Sequence, residues 1–144
     1  GQFTDTKQLE LNGLLKQYLQ DYEEVYDYRN IEVTIDEQDI FNVTMNESLA
    51  VALLTNLLKN AFVHNIDGGH IRITVTKNSI TFRNSGVENP LDKEHIFERF
   101  YQGTKKEGST GLGLAIADSI CRLQHLSIRY YFEQKEHCFE ISRQ

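Results

Sequence analysis

What this 144-residue chain lacks narrows its class before any motif is considered. Its apolar stretches are broken by asparagine or charge well short of 18 residues, and no signal-peptide pattern opens it. No segment is therefore expected to span, cross or directly touch a membrane. Basic residues are in deficit: 15 Lys+Arg stand against 21 Asp+Glu, a formal net charge of -6 with no basic stripe. That argues against nucleic acid as a partner, although backbone donors and a metal ion can still hold a local polyanion. Proline occurs once and glycine nine times beside 40% hydrophobic residues, a balance that fits one compact domain with a real core. The two cysteines, Cys121 and Cys138, fall in a predicted helix and a predicted strand without metal-ligand spacing. They are expected to be small buried thiols. The chain opens at Gly1 directly into a polar segment, which suggests one domain of a longer protein.

Against these absences stands NLLKNAFVHN, residues 56–65, where Asn56, Asn60 and His64 recur at spacings of four inside an apolar run. A buried carboxamide costs stability unless its donors and acceptors are satisfied, so the row either faces solvent or has something polar held against it. The helix predicted here starts from a cap at Asn46 or Ser48 and runs to about His64. Leu49, Leu53, Leu57 and Ala61 form one row, and Leu54, Leu58 and Phe62 the next. The third row, Asn56, Asn60 and His64 or Val63, is polar but uncharged, where solvated helix faces carry Lys and Glu.

Periodicity places the other elements. A first amphipathic helix is predicted over 8–26, with Leu11, Leu14, Leu15, Tyr18 and Tyr22 on one stripe and Leu19 at its edge. Strands are predicted at 30–35 and 41–45, then a hairpin from His70 to Asn84 turning at Lys77 and Asn78. A short helix is expected over about 91–100, anchored by Ile96, Phe97 and Phe100, and a further helix over 112–124. LSIRYYFE and HCFEIS close the chain as an antiparallel pair. The expected fold is a two-layer α/β sandwich, a mixed sheet packed against about three helices. Between Tyr101 and Thr110 no side chain can bury, so this stretch is predicted to be the most mobile.

EGSTGLGLA, 107–115, begins as loop and ends as helix. Gly108, Gly111 and Gly113 remove side chains where backbone could close on a ligand, and first-turn N–H groups can face an anion. It is neither a P-loop, lacking the GxxxxGK[ST] spacing, nor a dinucleotide fingerprint, since no strand leads directly into it. A plain helix start is the simpler alternative. Together with the amide ladder and the RNSG strand end, however, the loop suggests a polyanion site. Amide oxygens can coordinate a hydrated Mg2+ already carried by a triphosphate.

In this combination the chain resembles the ATP-binding catalytic domain of bacterial sensor histidine kinases, within the superfamily of the gyrase, MutL and heat-shock chaperone ATPases. NLLKNAFVHN resembles the N box, RNSG the first glycine box, IFERFY the F box and GSTGLGLAI the second glycine box, in the family's order. The resemblance implies ATP and Mg2+ as cofactors, with Asn60 on the metal and Asn56 near the phosphates as the catalytic pair. His64 and Tyr101 would border the nucleotide. Asn84 would accept from the adenine amino group, with Gly86 giving room for the base. Gly108, Thr110, Gly111, Leu112 and Gly113 would form the phosphate-side loop. Three departures accompany it: Asn84 replaces the usual aspartate, Glu88 a common glycine, and Val63 a phosphate-contacting lysine. Lys105 or Lys106 would then supply the positive charge, and weak nucleotide binding is expected.

By the same resemblance the γ-phosphoryl group goes to a histidine on a separate dimerisation and phosphoacceptor domain of the same parent, and then to a response regulator. The parent would be a homodimer and a membrane-bound receptor, with this domain in the cytoplasm. None of His64, His70, His95, His125 and His137 lies in a segment resembling a phosphoacceptor helix. The ATPase relatives carry a glutamate as general base where this chain has Asn56, which favours a kinase domain. A non-catalytic nucleotide-sensing or interaction module of the same fold is the alternative, and a plain scaffold with a solvated amide row a third.

Overall fold

The computed structural model describes residues 5–101 and 111–144. Its elements are β1 Lys7–Glu10, α1 Leu11–Val25, β2 Glu32–Glu37, β3 Asn42–Met45, α2 Glu47–Val63, β4 His70–Val75, β5 Ser79–Asn84, α3 Gly113–Leu123, β6 Leu126–Glu133 and β7 Glu136–Arg143. A 3-10 turn lies at Asp27–Arg29. Five strands form a mixed sheet in the order β2-β4-β5-β7-β6, parallel between β2 and β4 and antiparallel elsewhere. β1 and β3 make a separate two-stranded sheet. This is the expected α/β sandwich of a mixed sheet against three helices.

The core lies between the layers. Ile71, Ile73 and Val75 of β4, Ile80 and Phe82 of β5, and Phe139 and Ile141 of β7 all point one way and are buried. They meet both leucine rows of α2, every member of which is buried. The cap of α2 is Asn46: its side chain accepts from the Leu49 N–H at 3.0 Å, and its own backbone is extended. Tyr22 and Tyr26 stack on Phe62 where α1 meets α2, with Tyr26 and Phe62 centroids 5.4 Å apart. Both cysteines are buried, and desolvation pushes the Cys121 thiol up to about 12 and the Cys138 thiol to about 11.

Two expected helices are corrected. Residues from 8 do not begin a helix: Leu9 pairs with Val43 in the β1–β3 ribbon, and the Leu11 N–H donates to the Phe41 carbonyl at 3.0 Å. The helical line toward the core is Leu11, Leu15 and Leu19, so Leu19 is buried rather than marginal, and Leu14, Tyr18 and Tyr22 are only partly covered. The stretch 91–100 is a chain of turns. His95, Glu98 and Tyr101 donate to carbonyls three residues back, while the Asp92 side chain takes the Glu94 N–H and meets His95 Nδ1 at 2.6 Å. Ile96 is buried as anticipated, but Phe100 has a φ of +66° and is 69% exposed, so it anchors nothing.

Candidate functional site

The amide row of α2 faces the first turn of α3 across a cleft of about 190 Å3. The α2 wall is Asn56, Lys59, Asn60, Val63 and His64. Asn56 is tied down by donating Nδ2 to the Ala52 carbonyl at 2.8 Å. A Cβ on Gly113 would lie 3.0 Å from Asn56 Oδ1, so a glycine there lets α3 close on the row. The row is therefore neither core nor open surface.

The facing wall is Gly111, Leu112 and Gly113, continued by Leu114 and Ile116, with Tyr101 at one end. Gly111 has a φ of +75°, and a Cβ there would come within 2.7 Å of Phe100 Cα. Its carbonyl accepts from the Phe100 N–H at 2.6 Å, which ties the approach to α3 to the turns of 91–100. The N-cap of α3 is Leu112, so no cap side chain competes for the first-turn N–H groups. Tyr101 is oriented by its hydroxyl, which accepts from the Asp92 N–H at 3.2 Å.

Among the described lining residues there is no carboxylate, and Lys59 is the one lysine or arginine. In a chain of net charge -6 this is a local inversion that favours an anion. Lys59, Leu114 and Ile116 escaped the sequence reading. Lys59 was findable, since a residue three after Asn56 shares its helix face. Lys105, Lys106, Gly108 and Thr110, and the stretch predicted to be mobile, lie outside the described residues.

Asn84 and Gly86 do not line this cleft. They lie behind its His64 end: a Cβ on Gly86 would come within 2.9 Å of the His64 carbonyl. Asn84 ends β5 on the same side as the buried Ile80 and Phe82 and is 2% exposed. Its Nδ2 donates to the Ser85 carbonyl at 2.8 Å, while Oδ1 has no hydrogen-bond partner among the described residues. An aspartate in this orientation would set oxygen against oxygen, which gives the amide a local reason. Ser85 joins the two sites. Its hydroxyl donates to Asn65 Oδ1 at 2.6 Å and takes the His70 N–H at 2.8 Å, stitching the end of α2 to β4 and β5.

Residues 45–142 match the family of histidine kinase-, DNA gyrase B- and HSP90-like ATPases. The chain belongs to that family. Within it, this is the catalytic domain of a sensor histidine kinase, a family whose members generally bind ATP with Mg2+. The kinase domain is 33% identical over 127 residues to the heme sensor protein HssS of Staphylococcus aureus, a match covering 85% of this chain and 28% of that protein. It thus spans little more than a quarter of that relative. Its structure superposes on the catalytic domain of histidine kinase ThkA with a TM-score of 0.83 at 25% identity, covering 95% of this chain and 93% of that one. ThkA in complex with the response regulator protein TrrA matches at a TM-score of 0.76 and 24% identity, covering 96% and 42%. Among the described residues no helix is long and apolar enough to cross a membrane.

Proposed function

We propose that the kinase domain binds Mg2+-ATP between α2 and α3 and donates the γ-phosphoryl group to a histidine on a separate dimerisation and phosphoacceptor domain of the same parent. One observation carries the reading: the cleft of an acidic chain sets two amides, two glycines and a lysine among apolar and aromatic neighbours, with no carboxylate among its described residues. Such a lining accommodates a polyanion and, with Asn56 in place of an acid on the amide row, presents no carboxylate to deprotonate an attacking water.

Two features fit the groups that would be held. The orphaned Oδ1 of Asn84 is an acceptor suited to the adenine amino group, and the glycine at 113 lets backbone approach the amide row. Asn60 would ligate Mg2+, which when bound neutralises phosphate charge. Asn56 and the Gly111–Leu112–Gly113 backbone would orient the phosphates, joined by Lys105, Lys106, Gly108 and Thr110. Val63, His64 and Tyr101 would border the nucleotide, and Gly86 would leave space for the base. The chain's contribution is positioning and charge neutralisation. The bridging P–O bond to ADP breaks as a P–N bond forms, and the acceptor imidazole gives its proton to a base outside this lining.

Residues 1–144 would be one domain of a longer homodimeric sensor kinase, held in the cytoplasm by a membrane-bound parent. The 28% coverage of HssS supports a longer parent, and the ThkA–TrrA complex supports a response regulator as the next acceptor. Calorimetric titration with Mg2+-ATP, followed by phosphoryl transfer to a supplied phosphoacceptor hairpin, tests this. Binding without transfer would favour a nucleotide-sensing module, and absence of binding would sink both readings.

A further inference from the structure

We infer that His137 is a positioning residue for the base side of the site: with Tyr130 it holds the segment from Gly86 to Leu91 in register with Asn84 while its imidazole is neutral. The inference rests on Asn84 as the base acceptor.

His137 is 3% exposed and stands opposite Asn84 in the β5–β7 register. Its Nε2 lies 2.7 Å from the Val87 carbonyl, which can only accept, so Nε2 carries the hydrogen. Nδ1 therefore bears the lone pair, and the Tyr130 hydroxyl donates to it at 2.8 Å. The same hydroxyl oxygen accepts from the Leu91 N–H at 2.9 Å. Every proton in the relay has one place, and both ends of 87–91 are gripped by it. The ring also packs beneath Gly86, where a Cβ would reach within 3.1 Å of Cδ2. Gly86 is thus set between His137 and the His64 carbonyl at the end of α2.

A second proton at Nδ1 makes both ring nitrogens donors. The Tyr130 hydroxyl hydrogen then loses its acceptor in the relay, and a charge appears in a buried place. From β6 the ring meets Tyr130 and Phe132, with centroids 5.9 and 4.8 Å away. From β5 and the following turn it meets Asn84, Gly86 and Val87, and the α2 end adds the His64 carbonyl across Gly86. The adjacent Glu136 and Cys138 point to the opposite sheet face, where Arg72 and His70 occupy Glu136. Burial accordingly holds the His137 pKa below the usual imidazole range. The relay is intact at neutral pH and fails as the pH falls below the usual imidazole range.

The test compares Mg2+-ATP with Mg2+-tripolyphosphate, which has the phosphates but no base, by calorimetry at about pH 7.5 and about pH 5. The ATP-to-tripolyphosphate affinity ratio should fall about tenfold at the lower pH in the wild type, the scale of one lost buried hydrogen bond. That fall should be absent in His137→Gln, which keeps the ligands' own titration and His64 as the baseline. Tyr130→Phe, which keeps the ring and removes the hydroxyl, should show a lowered ratio already at neutral pH. A general structural weakening would move both ligands together. A constant wild-type ratio, or an equal change in His137→Gln, overturns the inference. So does a ring nitrogen NMR spectrum of the ligand-free protein showing the Nδ1–H tautomer or a charged ring at neutral pH. A wild type that binds neither ligand overturns the proposed site instead, and the spectrum still decides the relay.

Discussion

Polar side chains collect in two regions of this domain, and the fold treats them in opposite ways. On the sheet face turned from the helices, Glu136 takes Arg72 at 2.9 and 2.6 Å and His70 at 2.7 Å. Glu140 takes Arg129 at 2.6 Å and Thr81 at 3.2 Å. All four carboxylate oxygens are engaged. On the helix side the row of α2 offers the neutral amides Asn56 and Asn60, and Asn84 Oδ1 is buried with no partner among the described residues. A buried acceptor without a donor is costly and uncommon, so it calls for an occupant, whereas a saturated ion cluster accounts for itself.

The sharpest way to break that contrast is Glu136→Ala. It should lower stability by about 2 kcal/mol in chemical denaturation, because three charge-assisted bonds go while Arg72 and His70 can turn to water. Mg2+-ATP affinity should be unchanged, and a parallel loss of affinity would show the two regions to be one system. The same carboxylate governs the acid limb. The Arg72 guanidinium foremost, helped by His70, holds its pKa at about 2 against an ordinary 4.5. The native state therefore binds fewer protons than the unfolded chain between those values. The contribution is complete above about pH 4.5 and disappears as pH falls toward about 2, a dependence that Glu136→Gln should flatten in acid unfolding.

Asn60→Asp should have the reverse profile. Adding charge and deleting the amide donors should weaken Mg2+-ATP binding about tenfold, or about 1.4 kcal/mol. Thermal unfolding without nucleotide should shift little. Equal affinity in calorimetry would remove Asn60 from the metal. The smallest expected effect belongs to Asn84→Ala, which should cost ATP about 1 kcal/mol while leaving GTP, whose base has a carbonyl in place of the 6-amino donor, nearly untouched. Equal losses in a competition assay would mean that Asn84 does not read the base.

Much of this was legible in sequence because it is local. The Asn46 cap, the leucine rows of α2, the hairpin ending at Asn84 and the closing β6–β7 pair each follow from spacing within one segment. The amide row and the glycine turn were separately visible, and the fold brings them to one cleft. What failed depended on distant partners. Lys7–Glu10 continues a helical pattern, yet β3 claims its backbone. Ile96, Phe97 and Phe100 have helical spacing, yet the Asp92 side chain and the Phe100–Gly111 bond break the segment into turns. His137 was counted only as one of five histidines, because its meaning comes from Tyr130 and Val87.

The parallel pairing of β2 with β4 ties the site to the order of assembly. Two parallel neighbours need a crossover, and here the connection from Glu37 to His70 contains α2 entire. The helix bearing the amide row is also the link through which an edge strand joins the sheet. In kinetic terms, zipping β2 closes a long excursion that is favourable only once α2 has docked, which places it among the later events. An occupant that steadies α2 should therefore slow amide exchange at Thr34 and Asp36, whose N–H groups face β4 in step with those of Glu32 and Gln38. A strand outside the cleft lining would then report whether the cleft is filled.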